Sequence, residues 1–574
     1  MKYAVKDPVT STRSSCPSTG SRKTSPFFSG VMILTFSTVL VKLIGLLYKI
    51  PMLHYLGSEG MGYFNAAYEW YALLCVISTA GLPVASSILI AEARAAGDWE
   101  RIERLERLSL YVFLILGGVG SLALWLGAGV ISDGLGSPDT RYALAAVAPT
   151  LLFSCIGSAY RGYFQGYEDM VPTAVSQLIE ALGKLVLGLT LALYAWRRGM
   201  ATPHIAAYAM WGLSLGVGIS VIYLVVHRSR YANARETGAA AGIATTDKER
   251  GAVGHAPALR RLLSIAVPIT VSASVLSLTK IVDMTMILRR LQTIGYDTAG
   301  ANALYGNYTT MAVPIFNLIP SLISSVALAL VPTLSAAIRS GDRETQKTTV
   351  RGAIRITALF SLPATLAVAI YSHPILALLF HGEMGAVREA APLLSLLAIS
   401  IFFSCLITTT NAILQACGLV RVPILSMLAG SVLKLIGAYI LIGIPSLNIC
   451  GAPISTFLCN AVIVGINLAV IAGRTGMLES VYDSLLRPLL VALPAVGLPA
   501  LLWGGLMRGG YREIPLFLAA VPLTMVLYLI LCLRWNLVGE EEVSMLPRGG
   551  AQFIDKIRRR WKRRKNENGG STPV

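Results

Sequence analysis

The chain has 574 residues, of which 55% are hydrophobic and only 14% are charged, and its mean hydropathy is +0.65. This composition excludes an ordinary soluble domain and predicts a polytopic membrane protein. Eight cysteines and six histidines are scattered along the chain without a CxxC or Cys/His cluster. That pattern argues against both a disulfide framework and a metal site.

The first 27 residues are rich in Ser, Thr and Pro and carry scattered basic residues, which is typical of a disordered cytoplasmic tail. Fourteen apolar segments follow, each near the roughly 20 residues that a membrane-spanning helix needs. Their predicted bounds are 28–50, 62–91, 109–131, 142–164, 172–196, 205–227, 263–288, 305–331, 354–380, 390–415, 423–444, 453–473, 488–507 and 515–535. The sequence therefore predicts an all-α polytopic membrane protein with about 14 transmembrane helices.

Lysine and arginine are concentrated in alternate connections and in the C-terminal tail, residues 536–574, which contains RRRWKRRK at 558–565. By the positive-inside rule these parts are cytoplasmic, so both termini are predicted to lie in the cytoplasm. The tail is interpreted as an anchor that attracts anionic membrane lipids. Nucleic acid is not a predicted partner, because no folded reader accompanies the basic residues.

A connection at 228–262, rich in Gly, Ala and charge, is typical of a cytoplasmic linker. It separates two predicted six-helix bundles, at 28–227 and 263–473, and two additional helices follow at 474–535.

Residues recur between these bundles at fixed offsets. The offset is 238 for Lys42 and Lys280 and for Gly57 and Gly295; it is 250 for Phe153-Ser154-Cys155 and Phe403-Ser404-Cys405, for Gln165 and Gln415, and for Lys184 and Lys434. The turns AAGDWER (95–101) and RSGDRET (339–345) also match. Both bundles run in the same sense, which indicates a pseudo-symmetric parallel repeat.

Several charged residues are stranded within the predicted spans. Each unpaired cation in lipid costs several kcal/mol, so these cations must be paired or share a wet cavity. Lys42 lies too deep to reach the membrane surface. The predicted cationic, substrate-binding cavity consists of Lys42, Lys280, Lys184, Lys434 and Arg161. A cationic cavity favours an anionic cargo.

Other interpretations of these residues stay open. Glu180 and Lys184 are four residues apart and could neutralise each other, as could Lys280 and Asp283 at a spacing of three. Lys49 and Arg161 could extend to a membrane border. The acidic residues Asp283, Glu180 and Glu69 are candidates for charge pairing or for coupling to a cation whose identity the sequence does not reveal.

Glycine and proline interrupt two spans at corresponding places. Gly81 and Pro83 interrupt the second span, and Pro314 and Pro320 interrupt the eighth. Proline removes an intrahelical hydrogen bond and bends the helix. These residues are therefore predicted hinges for alternating access, with a static kink as the alternative.

Four stretches, KLIGLLYKIP (42–51), GSEGMGYFNAAY (57–68), GLPVASSILIAE (81–92) and RGYFQGYEDMVPTAVSQ (161–177), resemble the stage V sporulation protein B / polysaccharide biosynthesis protein family. That family belongs to the multidrug/oligosaccharidyl-lipid/polysaccharide flippase superfamily and is related to the lipid II flippases. The resemblance covers nearly the whole membrane region. It implies two bundles arranged in a V and a cavity lined partly by the first and seventh helices.

The same resemblance implies a function in a bacterial plasma membrane. The expected cargo is an undecaprenyl-pyrophosphate-linked saccharide such as lipid II, moved from the inner to the outer leaflet, and cell-wall synthesis proteins are expected partners. Lipid II flippases typically carry an arginine at the place of Lys42; lysine keeps the charge but loses the bidentate geometry on phosphate.

No GxxxxGK[ST] motif occurs, so ATP is not predicted as the direct energy source; a cation gradient or the membrane potential remains. Neither an enzymatic activity nor a resident cofactor is predicted. The alternatives are an exporter of another lipid-linked polysaccharide unit, a multidrug or cation antiporter with an acidic rather than basic cavity, and a non-transporting scaffold of spore-envelope assembly.

Overall fold

The computed structural model describes residues 26–239, 255–475, 482–509, 511–535 and 537. Every regular element in these ranges is helical. The first half of the chain, as the term is used below, comprises α1 (Pro26–Thr79), α2 (Leu82–Ala95), α3 (Trp99–Leu135), α4 (Thr140–Gly166), α5 (Val171–Arg197) and α6 (Thr202–Ala239).

The second half starts with α7 (His255–Thr293), α8 (Thr298–Asn307), a π-helical segment (Tyr308–Ala312) and α9 (Val313–Arg339). It continues with α10 (Arg343–Ile370), α11 (Ser372–Leu379), α12 (Met384–Ala416), α13 (Arg421–Ile442), a 3₁₀ turn (Asn448–Cys450) and α14 (Gly451–Val470). Two π-helical turns (Ile471–Thr475 and Tyr482–Leu486) then precede α15 (Arg487–Arg508) and α16 (Glu513–Arg534).

The predicted all-helical membrane class is confirmed. Among the described residues, 11 stretches are long and apolar enough to cross a membrane, and the first, Ser37–Ala95, covers part of the first predicted segment and all of the second. The predicted segments at 263–288 and 305–331 are helical but are not among these 11 stretches. The total of fourteen spans stays a prediction.

The predicted tails lie almost entirely outside the described residues, as do residues 240–254 of the predicted linker. The remainder of that linker is helical, because α6 continues to Ala239 and α7 begins at His255. No proline lies between Arg228 and Ala239, and most residues there are compatible with a helix, so the charged sequence extends α6 instead of ending it.

Each half is packed around one central helix. In the first half α4 contacts α1, α2, α3 and α6, and in the second half α12 contacts α9, α10 and α14. The apolar window of α4 is 67% buried, whereas that of α3 is only 17% buried, as expected for a helix facing lipid. The central helices end 250 residues apart, at Gly166 and Ala416, which is the offset of the predicted repeat.

The repeated turns also share a backbone conformation. Gly97 and Gly341 have φ angles of 70° and 72°, a left-handed conformation that favours glycine. The aspartate after each glycine caps the next helix: Asp98 accepts from the Arg101 amide and Asp342 from the Thr345 amide. Hydrogen bonds from Thr345 also hold the pKa of Asp342 below its ordinary value.

The two halves meet closely near Gly57 and Gly295, which both have positive φ angles. This region is called the Gly57 end. Here α1 packs on α8 without intervening side chains: a Cβ atom on Gly306 would lie 2.1 Å from the Ser58 carbonyl oxygen, and one on Gly62 would lie 2.3 Å from that of Asn302. The contact therefore requires glycine at both positions.

Gly306→Ala is expected to lower the stability by about 1–3 kcal/mol, because the added methyl group overlaps the backbone of α1. The apparent melting temperature of the purified protein measures this change. Gly118→Ala is the matched control, because a Cβ at Gly118 meets nothing within 4 Å. Equal melting temperatures for the two variants would contradict the close packing.

Candidate functional site

A cavity of about 910 Å³ lies between the two halves of the chain. Its walls come from α1, α4, α5 and α6 on one side and from α7, the π-helical segment and α9 on the other. The charged residues that line it are Lys42, Lys49, Glu69, Arg161, Glu180, Lys184 and Lys280. Five cations against two carboxylates leave a formal excess of three positive charges, in a volume typical of small-molecule sites.

Lys42 and Lys280 both line this cavity. The Lys42 ammonium donates a hydrogen bond to the Ser321 hydroxyl on α9, so a first-half cation contacts a second-half oxygen. Because a hydroxyl carries no charge, this bond leaves the positive charge of Lys42 uncancelled. The predicted juxtaposition of the two lysines is thus present in the structure, and their role in ligand binding stays a prediction.

Arg161 lies in the cavity wall, where it joins α4 to α5. Its Nη2 donates to Glu180 at 2.9 Å and its Nε donates to the Ser176 hydroxyl at 3.0 Å. The Glu180 carboxylate is therefore paired across helices, not with Lys184 on its own helix as one interpretation had it. This pairing neutralises Arg161 and fixes its orientation.

Lys184 is held by aromatic rings. Its ammonium lies 5.2, 5.9 and 4.6 Å from the ring centroids of Tyr48, Phe64 and Tyr68, respectively. Ring faces attract a cation through their quadrupole without cancelling its charge. Lys184, which Glu180 also attracts electrostatically, therefore contributes a positive charge to the cavity it lines.

Lys434 differs from its repeat counterpart. Its ammonium lies 2.7 Å from Asp283 on α7, and the two side chains are only 20% and 13% exposed. Lys434 is also absent from the cavity lining in the described part of the chain. The structure thus does not place Lys434 in the lining of the predicted cationic cavity, and its ammonium group is paired with Asp283 instead. Asp283 therefore pairs with Lys434 and not with Lys280, which was the alternative interpretation of the sequence.

Lys49 lines the cavity as well, and the sequence-based interpretation that it extends to a membrane border is wrong. Its ammonium donates to the Thr309 carbonyl oxygen in the π-helical segment at 2.8 Å. Lys42 and Lys49 are seven residues apart, which is two helical turns, so they share a helix face. That spacing was the signal that could have identified Lys49. Glu69 interacts electrostatically with Lys49 from the same cavity.

The predicted hinges differ between the halves. Gly81 lies at a break between α1 and α2, and its backbone amide donates to the Thr270 hydroxyl on α7 at 3.2 Å. Pro83 lies in the first turn of α2. In the second half the helix is not broken. A π-helical segment precedes Pro314, and Pro320 lies within α9. Hinge motion at these residues stays a prediction.

No cluster of three or more His, Cys, Asp or Glu side chains that could hold a metal ion occurs among the described residues. The site is thus built from ammonium, guanidinium and carboxylate groups together with ring faces.

The helical membrane fold and the charged cavity between two halves define a multi-pass transporter. The model of the family described as "Polysaccharide biosynthesis protein" matches residues 27–338, which is more than half of the chain, and the model described as "MatE" matches residues 306–440. The chain belongs to the polysaccharide biosynthesis protein family, whose members are transporters of the multidrug/oligosaccharidyl-lipid/polysaccharide superfamily and not enzymes.

Two relatives from Bacillus subtilis (strain 168) extend this comparison. Stage V sporulation protein B is 24% identical over 552 residues, covering 92% of this chain and 99% of the relative. Lipid II flippase MurJ is 26% identical over 432 residues, covering 72% of this chain and 76% of the relative. A solved structure described as "Lipid II flippase MurJ, inward closed conformation" has a TM-score of 0.66 at 15% identity and covers 88% of this chain and 98% of that chain. This last likeness shows the fold.

Lys434→Met is expected to destabilise the protein by about 3–5 kcal/mol, because it leaves the Asp283 carboxylate buried without its cation. Lys434→Met combined with Asp283→Asn should restore most of that loss. Thermal unfolding of both variants measures the difference.

Lys184→Met is the control, because it removes only cation–ring contacts and should change the stability by at most about 2 kcal/mol. If Lys434→Met and Lys184→Met had the same melting temperature, the ion pair would not contribute to the stability of the protein.

Proposed function

We propose that the protein is a flippase that moves an undecaprenyl-pyrophosphate-linked saccharide from the inner to the outer leaflet of a bacterial plasma membrane. The observation that carries this proposal is the excess of positive charge in a cavity shared by the two halves. A pyrophosphate head cannot cross hydrocarbon without a replacement for its hydration shell. Lys42, Lys184 and Lys280 provide that replacement while the prenyl chain stays in lipid.

Alternating access requires that the halves separate at each end of the cavity in turn. At the Gly57 end the halves are held by the glycine contact between α1 and α8. At the opposite end α2 packs on α7, where Arg261 and Glu92 form an ion pair at 2.8 Å. In the proposed cycle the six-helix units at 28–227 and 263–473 rock about the cavity, and Gly81, Pro83, Pro314 and Pro320 absorb the bending.

Orientation follows from the basic connections. With both termini in the cytoplasm, the Gly57 end faces outward and the Arg261–Glu92 pair faces the cytoplasm. The membrane potential supplies about 2.3 kcal/mol per charge per 100 mV to whatever net charge moves. A coupling cation at Glu69 is the alternative source of energy, because Glu180 and Asp283 already have protein cations.

Lipid II is the cargo favoured by the relatives, and the 24–26% identities leave another lipid-linked polysaccharide unit as the runner-up. A multidrug antiporter of the same superfamily would share the fold. A cationic drug would, however, meet a cavity with three excess positive charges. Electrostatic repulsion therefore disfavours that alternative.

The decisive experiment is complementation of a strain depleted of its lipid II flippase, with labelled lipid II followed on the outer leaflet. Lys42→Ala and Lys280→Ala are each expected to reduce delivery at least about tenfold, because a hydrogen bond to a charged group is worth roughly 1.5–3 kcal/mol. Lys42→Arg should retain delivery, because it keeps the charge.

The matched control is the double variant Lys434→Met with Asp283→Asn, which removes a membrane-embedded lysine outside the cavity and should deliver lipid II like the wild type. Undiminished delivery by the alanine variants at equal protein level would favour the scaffold alternative. A wild type that fails with lipid II but delivers another prenyl-pyrophosphate saccharide would reassign the cargo.

A further inference from the structure

The contact between Lys49 and Thr309 depends on an irregularity in the second half. Within the π-helical segment the hydrogen bonds skip five residues, so the Val313 amide donates to the Tyr308 carbonyl. The next amide in this series would serve the Thr309 carbonyl, but residue 314 is proline and has no N–H. The Thr309 oxygen therefore lacks its i+5 donor and accepts from the Lys49 ammonium instead, at 2.8 Å.

This bond joins the two halves inside the cavity. Lys49 belongs to α1, Thr309 belongs to the second half, and both line the cavity. At the adjacent residue, the Asn65 side-chain amide donates to the Thr310 hydroxyl across the same boundary at 2.8 Å. Together the two bonds tie α1 to the π-helical segment at the point where α9 begins.

A carbonyl oxygen is a weak competitor for an ammonium group. The Lys49–Thr309 bond is already charge-assisted, but a phosphate oxygen carries negative charge and adds a direct attraction between opposite charges that a neutral carbonyl oxygen lacks. The Lys49 ammonium also interacts with Lys184 in the cavity, which repels it, and with Glu69, which attracts it. An anion that enters beside Lys184 would therefore attract both lysines and draw Lys49 away from Thr309.

We propose that Lys49 is a positioning residue that reports cavity occupancy to the second half: a phosphate-bearing ligand takes the Lys49 ammonium from the Thr309 carbonyl, and this releases the π-helical segment from α1. The inference rests on the proposed function, because it requires an anionic cargo. Pro314 acts here by keeping the carbonyl available to lysine. Its role is then distinct from that of a simple kink.

Hydrogen–deuterium exchange of the full-length protein in lipid nanodiscs tests this switch, with inorganic pyrophosphate as the probe. In the wild type, millimolar pyrophosphate should raise exchange in peptides covering 305–318 by about threefold or more. Lys49→Met should show the raised exchange without pyrophosphate and no further response. Lys49→Arg should restore the wild-type response, which a purely structural role of the side chain would not require.

Pro314→Ala tests the same contact at its acceptor. It adds a backbone amide at residue 314 that can donate to the Thr309 carbonyl in place of Lys49. Its segment should stay protected with and without pyrophosphate. Pro363→Ala is the control: it removes a proline from the interior of α10, which is not a predicted hinge, without adding a donor for Thr309, and it should behave like the wild type.

Calorimetric titration with pyrophosphate separates the two proposals. If pyrophosphate binds but exchange at 305–318 does not change, the switch is overturned and the proposed function stands. The same conclusion follows if pyrophosphate raises exchange equally in Lys49→Met and in the wild type. Absence of pyrophosphate binding to the wild type at millimolar concentration overturns both. Equal exchange in Pro314→Ala and Pro363→Ala would also overturn the switch, because it would show that the Thr309 carbonyl is not the group that responds.

Discussion

The structure depends on how it accommodates positive charge inside the membrane. Five cationic side chains line a single cavity, and each would cost several kcal/mol if it faced lipid. The chain compensates four of them in different ways. Arg161 is cancelled by a carboxylate, Lys184 rests on ring faces, and Lys42 and Lys49 donate to neutral oxygens. Only the first of these arrangements removes the charge, so the others keep the cavity electropositive.

The internal repeat places the same residue type in two different environments. Lys184 and Lys434 are 250 residues apart and lie in helices that begin at matching positions, at Val171 and Arg421. Lys184 contacts three aromatic rings and lines the cavity, whereas Lys434 forms an ion pair with Asp283. The repeat has therefore preserved the residue while its surroundings diverged, and the positive charge of the cavity comes mainly from the first half.

Much of the fold could be predicted from the sequence because membrane helices are long apolar runs with their backbone bonds satisfied internally. All fourteen predicted segments are largely helical, and the repeated glycines adopt the left-handed angles expected at turns. Helix ends were less predictable where charged sequence stayed helical, as beyond Arg228. The π-helical segment before Pro314 was not foreseen, since proline indicates a perturbed helix but does not define which hydrogen bonds replace the lost one.

The cavity residues could also be predicted in part from the sequence. Depth in an apolar run identified Lys42 and Lys280 as cavity residues, and the structure places both there. Pairing was harder to predict, because neighbours along one helix are visible in a sequence and neighbours across helices are not. The Glu180 carboxylate could have been assigned to Lys184 or to Arg161, and only the packing of α4 on α5 decides between them.

The preference for lysine over arginine in this cavity has a mechanical consequence. A guanidinium group binds phosphate through hydrogen-bond donors fixed in one plane, whereas an ammonium group is a compact point charge whose donors rotate freely. In the proposed function, a phosphate head bound by ammonium groups keeps its electrostatic attraction while it turns and tilts between moving walls. Such binding tolerates the change in orientation that the proposed movement between the two leaflets requires.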